Sequence, residues 1–357
     1  MRSKNRSLML GASLLVIAFI GVPALMSDYR LFQFAMILNI SIAVLGLNLL
    51  VGYNGQLSLG HGAIYALGAY AAAILIGKFH LPWYLAVIGA PLVCAAFGFA
   101  FGWPALRLKG HHLALATFAL AIATPQLLKH KALEGWTGGV QGLFVEKPEA
   151  PFGLPFSADQ WLYFVILAAA LAMHLFAWNI VRGRLGRAMV AIKEHPTAAA
   201  AMGINVPMTK ALTFAVSSLF TGLAGAFGAI AVGFIAPDSF NTFLSIFFLV
   251  AVIVGGVRSI AGGVLGAAFI QLVPNVADEI SKSASSAIYA VILIAVMFVM
   301  PGGLASLFTK LSAVVRMLAP GRPVPSIDAS TAAVKAHARE HDAVAANNFQ
   351  PQSQKAT

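Results

Sequence analysis

The chain has 357 residues, 59% of them hydrophobic and only 10% charged, and a mean hydropathy of +0.85. That is more apolar side chain than a soluble core of this size can hide, which excludes a soluble globular protein and places the chain in lipid. The formal charge of +11 does not point to nucleic acid, because Lys and Arg gather at the ends of apolar runs and form no aromatic-interleaved basic face.

Between the charge clusters lie apolar runs of about 17 to 25 residues, the length a helix needs to cross about 30 Å of hydrocarbon. The runs are continuously apolar, so they read as helices rather than as the alternating strands of a barrel. In chain order they predict helices near 8–26, 31–51, 62–77, 83–103, 112–128, 160–181, 210–233, 241–257, 260–276 and 286–304. The fold class is therefore all-α, a polytopic integral membrane protein with about ten transmembrane helices. The first run follows Arg2, Lys4 and Arg6 and has the polarity of a secretory signal peptide. It is long for a signal core and more spans follow, so it reads as a retained helix. Cys94, the single cysteine, falls inside an apolar run and reads as a small buried packing residue.

With the N-terminus inside, the inner loops carry Arg2, Lys4, Arg6, Arg107, Lys109, Arg182, Arg184, Arg187, Lys193, Lys210 and Arg258. The outer loops mix Arg30, Lys78, Lys129, Lys131, Lys147 and Lys282 with most of the acids. The positive-inside rule then puts both termini in the cytoplasm.

Two connections are too long to be simple turns. The outer loop at 129–159 is rich in Gly and Pro and suits a lid or docking surface. The inner loop at 182–210 has its own helical signal, with Pro196 at a first helical position and an Ala-rich turn after it, which predicts a short helix along the membrane face. These loops belong to a membrane domain at 1–305. The remainder, 306–357, reads as an amphipathic stretch and then a disordered tail from about Ala319, rich in Ala, Ser, Pro, Gln and Asn.

The segment Gly52-Tyr53-Asn54-Gly55-Gln56-Leu57-Ser58-Leu59-Gly60-His61-Gly62 sets four glycines and several hydrogen-bonding side chains beside membrane-length helices. Glycine frees the backbone from helical geometry, and exposed peptide groups with polar side chains can hold a polar solute. Asn54, Gln56, Ser58 and His61, with Gly55 and Gly60, are therefore candidates for a substrate pathway. The alternative is an ordinary inter-helix loop. A second such segment, Gly255 to Gly266, contains the small-residue pair Gly262 and Gly266 and reads first as a packing motif. Ser217, Ser218, Thr221, Gly222, Gly225 and Gly228 likewise read as a packing seam before a pore wall. A weak likeness between the two glycine-rich regions hints at an internal repeat.

Ser58 and His61 lie three apart, yet no nucleophile motif surrounds the serine, so an intramembrane hydrolase is disfavoured. No metal-ligand spacing occurs, and no metal is expected. The spans hold essentially no charged residue, which disfavours ion-coupled transport. There is no phosphate-loop motif, so any ATP that drives transport is hydrolysed by another subunit and no cofactor is expected on this chain.

Gly52 to Gly62, followed by Ala69-Tyr70, resembles the signature of permeases in the branched-chain amino acid ABC importer family, of LivM type. Thr137-Gly138-Gly139-Val140-Gln141-Gly142-Leu143 is similar to that family's threonine-glycine-glycine segment, and Gly186 to Glu194 resembles its lead into the cytoplasmic loop. Ala198-Ala199 with Gly203-Ile204-Asn205 keeps the spacing of the importer EAA loop, and Gly255-Gly256, Gly262-Gly263 and Gly266-Ala267 match its late glycine-rich stretch. The resemblance covers about residues 30–305. Thr197 stands at the motif's glutamate, Pro196 precedes it, and Gly262-Gly263 stands where many relatives have glycine-proline.

The resemblance implies a bacterial inner-membrane importer of branched-chain or other neutral amino acids. Its parts would be two related permeases, two cytoplasmic ATP-binding subunits and a periplasmic solute-binding protein, with the lipid bilayer around it and no nucleic acid. This chain would be one permease, and 129–159 its periplasmic loop. It also implies that 182–210 couples to the ATPase, through Arg187, Glu194, Ala198, Ala199, Gly203 and Asn205. The same permease type serves urea, short amides and aromatic acids. From another class, a passive facilitator for small neutral solutes stays open at this point.

Overall fold

The computed structural model describes residues 26–105, 111–151, 156–300 and 302–306. The expected helix at 8–26, the basic residues at 107 and 109 and the tail after 306 lie outside the described residues.

The helices, in order, are α1 Asp28–Asn48, α2 His61–Gly77, α3 Trp83–Ala105, α4 His111–Leu128, α5 Glu134–Thr137, α6 Ala158–Arg182, α7 Arg184–Glu194, α8 Pro196–Ala201, α9 Val206–Val232, α10 Thr242–Gly255, α11 Ile260–Ile280 and α12 Ser285–Val299. A π-helical turn, Leu49–Tyr53, prolongs α1. The strands β1, Leu143–Phe144, and β2, Phe234–Ile235, form one antiparallel pair, with Leu143 opposite Ile235.

Among the described residues, five helices are long and apolar enough to cross a membrane: α1 with its π-turn, α3, α6, α9 and α11. The expected spans at 62–77, 112–128, 241–257 and 286–304 are apolar but shorter helices. Boundaries differ from expectation where a charged residue marks the expected end. Helix α9 starts before Lys210, because the Asn205 side chain caps it by accepting from Met208 N and Pro207 fits its first turn. Helix α11 runs on through Asp278 and Glu279. Helix α6 begins on a reciprocal capping box of Ser157 and Gln160.

Helices α1 and α9 form the interior: 72% of each apolar window is buried, against 22% for α6. Close approach is made by small residues. A Cβ on Gly222 would overlap Cys94, and one on Gly225 would overlap the Tyr65 carbonyl of α2. The serine-glycine stripe of α9 is thus a packing seam, and Cys94 is the buried packing residue its setting predicts.

The connections segregate to two ends. One gathers the Gly52–Gly60 segment, α7 and α8, and the α10–α11 corner at 256–259, onto which Gly303 folds back against Gly256. The other gathers the β1–β2 pair, the Phe79–Trp136 stack and the Lys129–Asp238 ion pair. These sets match the inner and outer loops expected from charge.

Candidate functional site

Helix α1 does not stop cleanly. Its last residues widen into the π-turn, the backbone N–H groups of Asn54 and Gln56 donate back to the Leu49 and Leu50 carbonyls, and the backbone then runs without helix to His61. Non-helical backbone in a membrane protein persists only where protein or water covers it. Here protein supplies the cover. Leu59 N donates to Thr117 Oγ1 of α4 at 2.9 Å, and Gly62 N donates to Ser245 Oγ of α10 at 2.9 Å. Two donors at the start of α2 thereby find partners outside their own helix.

His61 ties this segment to the interior. Ser217 Oγ lies 2.7 Å from the Gly46 carbonyl and 2.7 Å from His61 Nε2, and Ser58 Oγ lies 3.0 Å from His61 Nδ1. A carbonyl only accepts, so the single Ser217 proton goes to Gly46 and Nε2–H must donate to Ser217. Nδ1 is then the acceptor and Ser58 donates to it, while Gly60 N donates to Ser58 at 3.4 Å. The chain of bonds is complete with a neutral imidazole. Both serines are buried, Ser58 at 1% exposure and Ser217 at 0%, so the unit serves as an internal tie. The unit joins α1, α2 and α9.

The six pathway candidates therefore divide. Ser58, Gly60 and His61 belong to the internal tie. Asn54 is 2% exposed, and neither its amide oxygen nor its nitrogen has a partner; the Gln56 Oε1 is likewise buried and unpaired. A buried polar group without a partner costs about 1–3 kcal/mol, so these atoms keep hydrogen-bonding capacity that the fold does not use. Gly55 faces the amphipathic helix instead, where a Cβ would press on Lys193 Cγ at 2.9 Å.

Helix α7 buries Gly186, Met189 and Ile192 on one face. From its last turn Lys193 Nζ donates to the Gly52 carbonyl at 2.7 Å, and Glu194 Oε1 lies 3.8 Å from Arg258 Nη1. The latter pair is half-exposed and weak. Arg258 is held more firmly by its backbone: its N–H donates to Asn48 Oδ1 at 2.9 Å and its carbonyl accepts from Tyr53 at 2.6 Å. Asn48 Nδ2 also donates to the Ser259 carbonyl at 2.8 Å. These bonds hold Arg258 at φ +67°, a conformation non-glycine residues rarely adopt. The two glycine-rich segments, far apart in sequence, meet here beneath α7.

Of the coupling candidates, Glu194 reaches this junction directly. Arg187 bonds the Arg182 carbonyl at 3.0 Å and caps α6. Ala199 is buried and Asn205 caps α9, whereas Ala198 and Gly203 stand exposed at the tip, as does Met202, which was not among the candidates. Gly203 takes φ +83°, which turns the chain from α8 into α9.

The profile of the family described as the branched-chain amino acid transport system / permease component matches residues 29–300. The chain belongs to this permease family. The permease is 34% identical over 239 residues to the high-affinity branched-chain amino acid transport system permease protein LivM of Salmonella typhimurium. That match covers 60% of this chain and 56% of the relative, so the chain spans little more than half the length of the LivM proteins it matches. It is 26% identical to the permease protein LivH of Escherichia coli K12, over 74% of this chain and 90% of the relative. It is 28% identical to the permease protein BraD of Pseudomonas aeruginosa, over 63% and 78%. No solved structure matches the chain.

Sequence reading of the permease missed Asn48. The signal was an amide inside an otherwise apolar run, between Leu47 and Leu49, where a polar side chain needs a partner. It also counted Lys193 and Arg258 as orienting charges without their backbone partners.

Proposed function

We propose that this chain is one permease subunit of an ATP-driven importer in the inner membrane of a bacterium, carrying branched-chain or other neutral amino acids. The observation that supports it best is the seating of α7 on the glycine junction, through Lys193 on Gly52 and Glu194 beside Arg258. A passive pore has no need of an amphipathic helix fastened to the place where two spans break. An importer does, because ATP-driven closure of subunits outside the membrane must reach the pathway within it.

In this reading the end that carries α7 and α8 is cytoplasmic, in keeping with its Arg182, Arg184, Arg187, Lys193, Lys210 and Arg258. The exposed tip at Ala198 to Gly203 docks on one of two ATP-binding subunits, which hydrolyse the ATP. A second related permease completes the pathway, and a periplasmic binding protein delivers solute to the end with the β1–β2 pair. The unpaired amide of Asn54 and the unpaired Oε1 of Gln56 also favour a second substrate reading within the family, urea or a short amide.

The test is uptake of labelled leucine, urea and an aromatic acid in cells lacking and then regaining the gene, with ATP intact and then depleted. ATP-dependent uptake restored by the gene identifies the importer and its solute. Gene-dependent uptake indifferent to ATP would overturn the reading in favour of a facilitator.

A further inference from the structure

Of the five long spans, α6 is the one least covered by the rest of the chain, with 22% of its apolar window buried. On its open side Leu171, Leu175 and Trp178 are exposed, and the exposed Arg182 ends the helix. Steps of four, three and four residues put all four on one face. From Leu171 to Arg182 the stripe rises about 16 Å, close to half of a hydrocarbon core of about 30 Å. It is therefore about one leaflet long, apolar at depth, aromatic where Trp favours the interface and cationic at the surface.

The cation is held in place. The Arg182 guanidinium carbon lies 3.9 Å from the centre of the Trp178 ring. Just beyond Gly183, Arg184 and Arg187 stand exposed on the first turn of α7, and Arg187 Nη1 donates to the Arg182 carbonyl at 3.0 Å. The α6–α7 elbow thus gathers three guanidinium groups within six residues. Among the described residues no carboxylate lies at ion-pair distance from any of them, whereas Lys129, Lys147 and Arg258 each have one. The planar fork of a guanidinium fits the paired oxygens of a phosphate.

We propose that the α6–α7 elbow binds the headgroup of an anionic glycerophospholipid from the leaflet beside it. An acyl chain lies along Leu171 and Leu175, and the phosphodiester meets Arg182, Arg184 and Arg187. An acidic protein would match the charges but not the apolar stripe that leads up to them. Helix α7 leaves from this elbow and ties to the Gly52 carbonyl from its last turn, so the bound headgroup steadies the root of the helix that reaches the glycine junction. The assignment holds whichever solute the chain carries.

In the experiment phosphatidylglycerol, phosphatidylcholine or glycerol 1-phosphate is titrated into the full-length chain purified in a neutral detergent, and bound molecules are counted by native mass spectrometry. Phosphatidylglycerol is expected to bind at least tenfold more tightly than phosphatidylcholine. The combined changes Arg182→Gln, Arg184→Gln and Arg187→Gln should abolish that preference. Lys78→Gln, Lys131→Gln and Lys282→Gln together remove the same charge from exposed positions elsewhere and should leave it intact. Equal loss in the two triple variants, or no preference in the unaltered chain, would overturn the assignment and leave the arginines to orientation or to an acidic partner. Glycerol 1-phosphate binding as tightly as the lipid would overturn the lipid as occupant. Should the triple arginine variant not reach the membrane, Arg182→Gln alone decides: it keeps two of the three charges and should weaken phosphatidylglycerol binding at least threefold, and unchanged binding would overturn the assignment.

Discussion

The Asn54 amide is buried with both of its polar atoms unpaired, so its burial opposes folding. Replacing it with Leu removes that penalty and should raise thermal stability, by an amount on the order of 1 kcal/mol, while lowering solute uptake. Gln56→Leu should behave alike, and Leu57→Ala, at a half-exposed position, should change neither. A thermal-shift assay of purified protein alongside uptake in cells separates the two effects; equal, mild losses in all three would make the segment a simple loop. Ser217 gives the opposite expectation. Ser217→Ala leaves His61 Nε2–H without its partner in a dry interior, which should cost about 1–3 kcal/mol and show as a lower Tm. The adjacency of Ser58 and His61 was visible in the sequence. Ser217, which decides what that pair does, lies 156 residues away, and no local pattern points from one to the other.

At the scale of elements, the apolar runs were legible because a membrane span is specified by its own residues: length and hydropathy suffice. Pro196 at the first turn of α8 and the left-handed Gly203 were legible for the same local reason. What was not legible is where α7 sits. Its amphipathic face predicts that it lies on something, but only the fold shows that Lys193 reaches the Gly52 carbonyl. Lys193→Met keeps most of the stem and deletes the ammonium, so α7 should stay folded while its tie to α1 is lost. The expected result is at least a tenfold fall in uptake with ATP hydrolysis retained, read by assaying both in the same membrane vesicles. Gly203→Asp, at the exposed tip, should instead reduce uptake and ATP hydrolysis together, because the docking surface itself is changed. Full uptake in both variants would remove α7 and α8 from the coupling path.

For the whole molecule, orientation is the property on which the importer reading turns. Cys94 is fully buried, so the unaltered protein offers little background to a membrane-impermeant thiol reagent. Phe144→Cys and Met202→Cys place thiols at two highly exposed positions at opposite ends. The first should label in intact spheroplasts and the second only after lysis; the reverse pattern would invert the topology and defeat the docking assignment. The likeness of the two glycine-rich regions also acquires a shape at this scale. In each, a helix descends to the same end, breaks at glycine and returns, so any relation between them is a rotation about the bilayer normal rather than an inversion. Composition alone could place the chain in a membrane, but not show these corners clasped through one asparagine.

Helix α12 has 15 residues, none of them buried, and so offers about 22 Å of apolar length to lipid whose hydrocarbon is about 30 Å thick. Helix α9, with 27 residues, is about 40 Å long. The apolar girdle is therefore uneven, and a span as short as α12 is met by local thinning of the bilayer, by snorkelling of flanking side chains or by packing against another subunit. Membrane thickness then becomes a control on the transporter in its own right: reconstituted into vesicles of graded acyl-chain length, it should be most stable in the thinner ones and lose stability as the chains lengthen.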